Sequence, residues 1–268
     1  MTLPSPIFVL DLETIPDLAR LHAASPTDPP SEDATAPEPS PPARMPKPAF
    51  HQIVAIAGAW IAPNGMLRQL RALGDPSWSE AALIEEAFRI ISVGHPRLVG
   101  WNSQGFDLPV LVYRAMVHGV AAPQFYLWGE PYHGYRKRFD EDNHLDLMDV
   151  LSFYGSSPRM SLHEMARVLG IPGKLDMDGS QVWDRYQAGE IEAIREYCTA
   201  DVLTTALVFG RYAYHRGWWT ADHITTWENS VAAWLDAQSA PLWDRFRDQW
   251  QPVTQVIGRA PWDDSPSA

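Results

Sequence analysis

Short apolar runs occur mainly in the first part of the chain, whereas later segments carry apolar residues at helical spacing. Residues 7–10 are four consecutive apolar residues and predict a short buried strand, with residues 14–17 as its exit. Because strands come early and helices late, the pattern predicts an α/β or α+β chain with a mixed sheet. The other predicted strands are residues 51–60, 66–73 and 97–102.

Helix signals follow the first strands. Ser79 is a candidate N-cap for a helix that continues to about Val93, and Ser161 is a candidate N-cap for a helix that stops at Gly170. Apolar residues near a helical period predict a long helix over residues 191–214. The remaining predicted helices are residues 106–118, residues 181–187, and one or two helices between residues 227 and 249, broken near Pro241.

An acidic pair directly follows the first apolar run. Asp11 and Glu13 are separated by Leu12, so period-two geometry predicts that both carboxylates lie on one face of the strand. Two like charges there repel each other, but a divalent cation turns the repulsion into binding, since Mg²⁺ and Mn²⁺ prefer oxygen ligands. A pair of this kind is also typical of a strand edge with two solvated acids, so the other acidic residues decide between the two interpretations.

Further acidic residues occur at ordered intervals along the chain. Asp107 follows a predicted strand-to-helix turn, where it is either a site residue at the carboxyl end of a strand or a helix cap. Tyr197 and Asp201 are four residues apart on the predicted long helix and therefore share one face. Asp146 and Asp149 are ambiguous, either a helix cap or a support for the site.

The order of these motifs resembles the three motifs of the 3′–5′ exonucleases with four acidic residues and a tyrosine, of the ribonuclease-H-like superfamily. The sequence Leu-Asp-Leu-Glu-Thr at residues 10–14 looks most like the proofreading domain of family-B DNA polymerases. Residues 173–201 are similar to stand-alone predicted exonucleases related to that domain. The resemblance covers about residues 7–215 and implies an α/β fold, a ribonuclease-H-like mixed β-sheet flanked by helices.

The resemblance also implies the roles of the acidic residues and the tyrosine. By this likeness, Asp11 bridges two divalent cations, Mg²⁺ or Mn²⁺, Glu13 and Asp201 complete the site that activates water, and Asp107 supports the second cation. Tyr197 orients the attacking water, because an ordinary phenol pKa of about 10 makes it a positioning group rather than a base. The implied activity is metal-dependent 3′–5′ exonucleolytic hydrolysis of phosphodiester bonds by a two-metal-ion mechanism.

Candidate substrate contacts lie beside two of these motifs. Thr14 follows the acidic pair and is a candidate hydrogen-bond donor to the terminal nucleotide, and Asn102 is a candidate contact of the same sugar-phosphate. Phe106 either stacks on a base or packs in the core.

A basic run provides a further candidate contact. Arg136, Lys137 and Arg138 either neutralise phosphates of the incoming strand or form a solvated loop balanced by the acidic residues 140–142. Lys174 also matches the related family, without a role that the residues themselves indicate.

Charge and composition limit the kind of partner. The 268-residue chain has a formal net charge of −12, which argues against wholesale coating of nucleic acid and for weak, local binding. We expect the partner to be a single-stranded nucleic acid 3′ end, with DNA favoured over RNA. The single cysteine, Cys198, excludes an intrachain disulfide and argues against a structural zinc site.

Membrane and targeting signals do not occur in the sequence. No apolar run approaches the roughly 18 residues of a membrane-spanning helix, and the N-terminus lacks the basic segment of a signal peptide. These observations predict a cytoplasmic protein with no membrane partner.

The predicted domain organisation is an exonuclease domain over residues 1–215 and a helical extension over residues 216–268 that packs on the same domain. A Pro-rich, flexible insertion at about residues 24–48 interrupts the first part, since nine prolines occur between residues 26 and 48. The extension contains seven of the 12 tryptophans, which we expect to pack on the sheet rather than to stack on bases.

Two other functions compete with a DNA exonuclease. The same metal chemistry suits an exoribonuclease, because the difference depends on how the pocket treats the 2′-hydroxyl. A non-catalytic nucleic-acid-binding or protein-binding module of the same fold is expected where a metal-site carboxylate is replaced. All four acids and the tyrosine are present here, which favours catalysis. No polymerase domain fits in the remaining residues, so any proofreading would act in trans.

Overall fold

The computed structural model describes residues 5–24, 46–129, 132–173, 175 and 177–253. The Pro-rich insertion predicted at about residues 24–48 lies almost entirely outside these residues, and so does Lys174. Residues 254–268 also lie outside them.

The described residues form a mixed sheet of five strands, β1 (Ile7–Pro16), β2 (His51–Ile61), β3 (Leu67–Ala72), β4 (Arg97–Gly100) and β5 (His144–Asp146). The strand order is β3-β2-β1-β4-β5, with β1 in the centre. β1 pairs antiparallel with β2 and parallel with β4, while β3 continues the antiparallel side and β5 the parallel side. The predicted mixed sheet is therefore confirmed.

Helices interleave with the strands and flank the sheet. They are α1 (Leu18–Ala24), α2 (Glu80–Gly94), α3 (Asp107–His118), α4 (Pro123–Leu127), α5 (Leu147–Leu151), α6 (Leu162–Val168), α7 (Val182–Gln187), α8 (Ile191–His215), α9 (Ala221–Asp236) and α10 (Pro241–Gln249). Both predicted serine caps are confirmed: Ser79 accepts a hydrogen bond from the Ala82 N–H, and Ser161 forms a capping box with Glu164. In the part of the chain that the structure describes, no helix is both long and apolar enough to cross a membrane.

Two strands differ from the sequence prediction. β1 continues to Pro16, through most of the residues predicted as its exit, because its pairing with β2 extends to the pair Pro16–His51. Asp11 and Glu13 therefore lie inside this strand, not at its end. The prediction lacks β5, whose three residues include a histidine and an aspartate and which parallel pairing with β4 holds in the sheet.

The central strand separates two hydrophobic cores, because successive side chains face opposite sides of a sheet. Ile7 and Val9 belong to the core that contains α8, whereas Phe8 and Leu10 belong to the core that α2 and α3 cover. Asp11 continues the first set by the same alternation, so its side chain faces α8. The Asp11 carboxylate therefore lies on the same side of the sheet as α8, the longest helix described.

Small side chains let α8 lie close to the sheet. β2 presents Ala55, Ala57 and Ala59 to this side, and all three are fully buried. On α8 itself, a Cβ at Gly210 would lie only 2.7 Å from the indole nitrogen of Trp227 on α9. Glycine and alanine at these positions allow α8 to pack against the sheet on one side and α9 on the other.

The tryptophan-rich helices contribute to the same core. Trp227 and Val231 of α9 are buried, as their helical spacing predicts. Leu235 continues this buried stripe, whereas Trp234 is only partly buried. Trp243 of α10 packs edge-on against Trp234, with ring centroids 4.8 Å apart.

A buried arginine ties four elements together next to the end of β1. Arg114 of α3 donates to Asp17 Oδ2 at 2.7 Å and to both carboxylate oxygens of Glu80 at 2.6 Å. Glu80, the first residue of α2, also accepts the Ile53 N–H of β2 at 2.7 Å. Only 2% of Arg114 is exposed, so these ion pairs are screened little by water.

We expect Arg114→Met to destabilise the protein by about 3–5 kcal/mol, because two buried carboxylates lose their shared buried cation and keep only the more exposed partners Arg20 and His118. Arg89→Met is the matched control: Arg89 pairs with Glu86, but 59% of its side chain is exposed. The control should cost less than about 1 kcal/mol. Urea unfolding followed by circular dichroism measures both free energies, and equal midpoints for the two variants would contradict this assignment.

Candidate active site

Asp11 and Glu13 lie together on the α8 side of the sheet, which confirms the prediction from their spacing. A carboxylate oxygen of Asp11, a carboxylate oxygen of Glu13 and the Cys198 Sγ all lie within 4.8 Å of one another. The Cys198 thiol is 3.4 Å from the Asp11 carbonyl oxygen and 3.6 Å from its Oδ2. The buried cysteine therefore packs α8 directly against the acidic pair.

A bulge in β2 lies opposite the acidic pair. Glu13 pairs with Ala55, whereas the next residue, Thr14, pairs with Ile53, so Val54 is the extra residue. Bulges bend a strand locally and re-aim the side chains around them. The register change separates the part of β1 that carries the two acids from the part that carries Thr14.

Thr14 is hydrogen-bonded within the protein. Its hydroxyl is 2.8 Å from His51 Nδ1, and His51 Nε2 is 3.1 Å from the Pro46 carbonyl oxygen. Burial lowers the pKa of His51, so the ring is neutral at neutral pH, and its proton must be on Nε2 because a carbonyl only accepts. Nδ1 then accepts from the Thr14 hydroxyl. We therefore expect the Thr14 hydroxyl to accept a hydrogen bond from a nucleotide, whereas the sequence predicted that it would donate one.

Phe106 completes this small cluster. Its ring meets His51 edge-on, with centroids 4.9 Å apart, and it also packs against the core under α2 and α3. Phe106 as a whole is half-buried. Phe106 thus combines the core contact and the exposed surface that the sequence presented as alternatives.

Asp107 reaches the acidic pair through a tight turn between β4 and α3. Asn102 adopts a left-handed conformation with φ of 60°, and a Cβ at Gly100 would lie 2.5 Å from the Ser103 side chain. The turn places the Asp107 carboxylate so that it accepts the Leu12 N–H at 3.1 Å. The first residue of α3 is therefore fixed to β1 between Asp11 and Glu13.

Asp146 supports this turn, a role that resolves its ambiguity in the sequence. Its two carboxylate oxygens accept the N–H groups of Asn102, at 3.0 Å, and Gln104, at 2.9 Å, and it also caps α5. His144 adds a 2.8 Å contact from Nε2 to the Ser103 hydroxyl, and burial lowers its pKa to about 4. The sequence indicated only a possible capping role for Asp146, because Asp146 and His144 contact residues more than 40 positions away in the chain.

Tyr197 and Asp201 lie on one face of α8, as predicted, and both are partly exposed. Burial and the nearby carboxylates Asp201 and Glu13 raise the pKa of Tyr197, and a hydrogen bond with Asp201 favours the protonated phenol. The two residues line a cavity of about 220 Å³ that also includes Leu175 and Met177. The phenol is therefore a hydrogen-bond donor at the border of a cleft.

The four carboxylates influence one another strongly. Burial and repulsion from Asp107, Glu13 and Asp201 raise the pKa of Asp11, and burial with repulsion from Asp201 and Asp107 raises that of Glu13. Burial raises the pKa of Asp107 to about 7. In the described part of the chain, no basic side chain forms an ion pair with Asp11 or Glu13. A divalent cation fits this set of oxygen donors because it supplies the missing positive charge.

The predicted basic residues do not join the carboxylate cluster. Arg138 forms a two-point ion pair with Asp149, whose nearer contact is 2.7 Å. Arg136 lies over the ring of Tyr126, with its guanidinium carbon 4.6 Å from the ring centroid. Lys137 is exposed. Long-range pairing of this kind has no local sequence signal.

A comparison with solved structures identifies the fold class. The family B DNA polymerase from the hyperthermophilic archaeon Pyrobaculum calidifontis matches with a TM-score of 0.52 and 15% sequence identity. The match covers 79% of this chain but only 25% of the polymerase. The shared feature is the fold, the ribonuclease-H-like sheet with flanking helices of a polymerase exonuclease domain.

A scan against protein families then identifies the family. Residues 44–250 match the family described as "Predicted 3'-5' exonuclease related to the exonuclease domain of PolB". The chain belongs to this family, and its enzyme class is that of a 3′–5′ exonuclease. The match includes Asp107, Tyr197 and Asp201 but begins after Asp11 and Glu13, so the sheet geometry alone adds those two residues. No curated protein sequence matches the chain significantly.

We expect the metal-free protein to lose stability as the pH rises from about 4 to about 7. The pKa of Asp107 is about 7 in the folded state and about 3.9 in an unfolded chain, so the folded state binds its proton more tightly and is favoured at low pH. Asp107→Asn keeps an acceptor for the Leu12 N–H and should flatten this dependence.

Thermal unfolding in a chelator measures the effect across this pH range. At pH 8 the variant should melt above the wild type, by about 2–4 °C for each kcal/mol of relieved repulsion. Excess Mn²⁺ should reverse that order, because only the wild type retains all four carboxylates. Identical pH profiles for the two proteins would contradict the assignment.

We expect Asp146→Ala to lower the free energy of unfolding by about 1–3 kcal/mol, because it leaves the N–H groups of the turn at Asn102 and Gln104 without an acceptor. Asp75→Ala is the control, since Asp75 accepts the Ser77 N–H in an exposed loop. Urea unfolding compares the two, and a smaller effect for Asp146→Ala than for Asp75→Ala would refute the supporting role.

Proposed function

We propose that this protein is a metal-dependent 3′–5′ exonuclease that hydrolyses phosphodiester bonds at the 3′ end of single-stranded DNA. The observation that carries the proposal is the convergence of four carboxylates and one phenol from three elements: β1, the start of α3, and α8. A solvated surface cluster would relax by spreading its charges into water, whereas Glu13 and Asp107 are buried. Membership of the exonuclease family supports the same reaction.

The donor set is suited to two divalent cations, Mg²⁺ or Mn²⁺. Asp11, Glu13, Asp107 and Asp201 would hold them, and Asp11 is central because the other three carboxylates all raise its pKa. When bound, the two cations would generate a hydroxide nucleophile near neutral pH and stabilise the leaving oxygen. The Cys198 thiol beside Asp11 stays protonated, since burial and Asp11 raise its pKa, so it acts as a packing group.

The protein's own groups would position water and substrate. Tyr197 keeps its proton, and we assign it to orient the attacking water through its phenol oxygen rather than to remove a proton. Asp201, one turn further along α8, is hydrogen-bonded to that phenol and fixes its direction. The Thr14 hydroxyl, with its proton donated to His51, would accept a hydrogen bond from the terminal sugar.

Asn102 and Phe106 occupy the turn that precedes Asp107 and are assigned to the same nucleotide. The left-handed backbone of Asn102 holds its side chain on a tight turn, and strained residues of this type cluster at functional sites. Phe106 is half-buried and would contact the terminal base with its exposed part, while its contact with His51 holds the ring in place. Positioning of this kind lowers the entropic part of the barrier.

We expect Asp11→Ala and Asp201→Ala each to reduce the hydrolysis rate by roughly 10³-fold or more, since each removes a carboxylate that holds the cations. Tyr197→Phe should reduce it less, by roughly 10²-fold, because only the orientation of water is lost. The assay uses 5′-labelled DNA and RNA oligonucleotides, with matched 3′-blocked strands, in Mn²⁺, Mg²⁺ or chelator. Glu192→Ala is the control, because this acid lies on the same helix, is 68% exposed and does not line the cavity of Tyr197 and Asp201.

We predict that the 5′-labelled DNA strand is shortened from its 3′ end. This shortening should disappear in chelator and in both alanine variants. Chelator-resistant cleavage, or full activity in Asp11→Ala, would contradict the mechanism. Preferential digestion of RNA would replace the proposed substrate with RNA. Binding without cleavage of any strand would indicate the non-catalytic module instead.

A further inference from the structure

A strip of aromatic and basic side chains lies next to α5, where Asp149 holds two of its arginines. We call it the aromatic ridge and define it as Arg138, Phe139, Phe153, Tyr154 and Arg159. Phe139 and Phe153 are 70% and 73% exposed, which is unusual for two phenylalanines in one region. The Phe139 ring meets Tyr154 edge-on at 5.0 Å, and the Arg138 guanidinium carbon lies 5.6 Å from the Phe139 centroid.

The backbone presents Phe153 to solvent in a strained conformation. Phe153 and Tyr154 have φ values of 51° and 55°, so two consecutive non-glycine residues are left-handed, before Gly155 at 92°. The Ser152 side chain accepts the Gly155 N–H, and the Ser152 carbonyl accepts the Ser157 N–H, which closes the turn. Strain of this kind is found mainly at ligand clamps and active sites.

The ridge is positively charged although the chain as a whole is acidic. Arg138 and Arg159 share a single carboxylate, that of Asp149, at 2.7 Å and 3.0 Å. Two partly exposed guanidinium groups on one buried carboxylate leave one positive charge that faces solvent. Arg136 and Lys137 precede Arg138, and neither forms an ion pair with a carboxylate in the described residues.

The acidic residues that follow the ridge's first arginine do not neutralise it. Asp140 accepts the Gly134 N–H and an Asn143 amide, and Asp142 pairs with the buried Arg97. Glu141 is engaged by Arg216 and by the Tyr154 hydroxyl. The sequence suggested that this acidic run balances the basic one, but in the described part of the chain none of its carboxylates pairs with Arg136, Lys137 or Arg138. Glu141 contacts the ridge only through the Tyr154 hydroxyl.

The ridge is continuous with the carboxylate cluster. Asp149, which holds both ridge arginines, donates its N–H to Asp146 at 3.3 Å. Asp146 in turn holds the turn that leads into Asp107. The ridge and the carboxylate cluster are therefore joined by a short series of hydrogen bonds through Asp149 and Asp146.

We propose that the aromatic ridge binds the single-stranded nucleotides upstream of the cleaved one. Phe153 and Phe139 would stack on bases, and Arg138 and Arg159 would contact phosphates, the combination that sequence-independent single-strand binders use. Base stacking requires unpaired nucleotides, so the ridge selects single strands over duplex. The direction of the strand rests on the proposed exonuclease function, whereas strand binding itself does not.

The test measures binding without cleavage. Fluorescence anisotropy of the full chain in chelator compares labelled dodecathymidylate with a blunt duplex of equal length and with dithymidylate. We expect Phe153→Ala and Arg159→Ala each to weaken dodecathymidylate binding roughly tenfold, so that the affinity ratio between long and short probes falls. Met116→Ala in the last turn of α3 is the control. Met116 is 74% exposed, close to the 73% of Phe153, and this variant should bind as the wild type does.

Two further readouts separate a contact from a folding effect. Arg159→Ala should lower the slope of log affinity against log salt by about 0.7, the value for one phosphate contact on a single strand. Phe153→Gly relieves the left-handed strain and should melt higher than the wild type, yet bind as weakly as Phe153→Ala.

The outcomes distinguish this proposal from the exonuclease proposal. Weakened binding in the ridge variants supports the ridge whether or not the protein cleaves any strand. Unchanged affinity in Phe153→Ala and Arg159→Ala, or equal binding of duplex and single strand, overturns the ridge even if exonuclease activity is found. A salt slope that Arg159→Ala leaves unchanged overturns the phosphate contact.

Discussion

Four carboxylates repel one another where β1 meets α8, and most of the surrounding structure holds them together against that repulsion. Burial and neighbouring charge raise the pKa values of Asp11, Glu13 and Asp107. Among the residues that the structure describes, no basic side chain forms an ion pair with Asp11 or Glu13. An arrangement of this kind destabilises a protein unless a ligand compensates the charge. The raised pKa values are therefore the physical basis for assigning a cation site.

Rigid supports converge on this cluster from three sides. The small side chains of β2 bring α8 close to the sheet, and Cys198 packs directly against Asp11. The Leu12 N–H and Asp146 fix the turn that delivers Asp107. A site of four repelling groups needs such supports, because a loosely held carboxylate would rotate away into solvent. Asp146, which holds this turn, is also hydrogen-bonded to Asp149 beside the aromatic ridge, so the proposed cation site and the proposed strand-binding surface share one support.

The sequence was informative where the determinants are local. Spacing alone predicted that Asp11 and Glu13 share a face, that Tyr197 and Asp201 share another, and that serine caps begin α2 and α6. Long-range pairing was not predictable. Pairing with β2 extends β1 to Pro16, and parallel pairing with β4 forms the short strand β5. Arg138 forms an ion pair with Asp149. The supports of the site, His144 and Asp146, act through partners more than 40 residues away.

Anomalous diffraction from crystals soaked in Mn²⁺ tests the central claim most directly, because it locates bound cations independently of any activity. We predict anomalous peaks between the carboxylates of Asp11, Glu13, Asp107 and Asp201, with at least one peak bound by Asp11 and none at that position in crystals of Asp11→Ala. Peaks confined to other surfaces, or a carboxylate cluster that stays free of Mn²⁺ at saturating concentration, would contradict the assignment of these residues as one metal site.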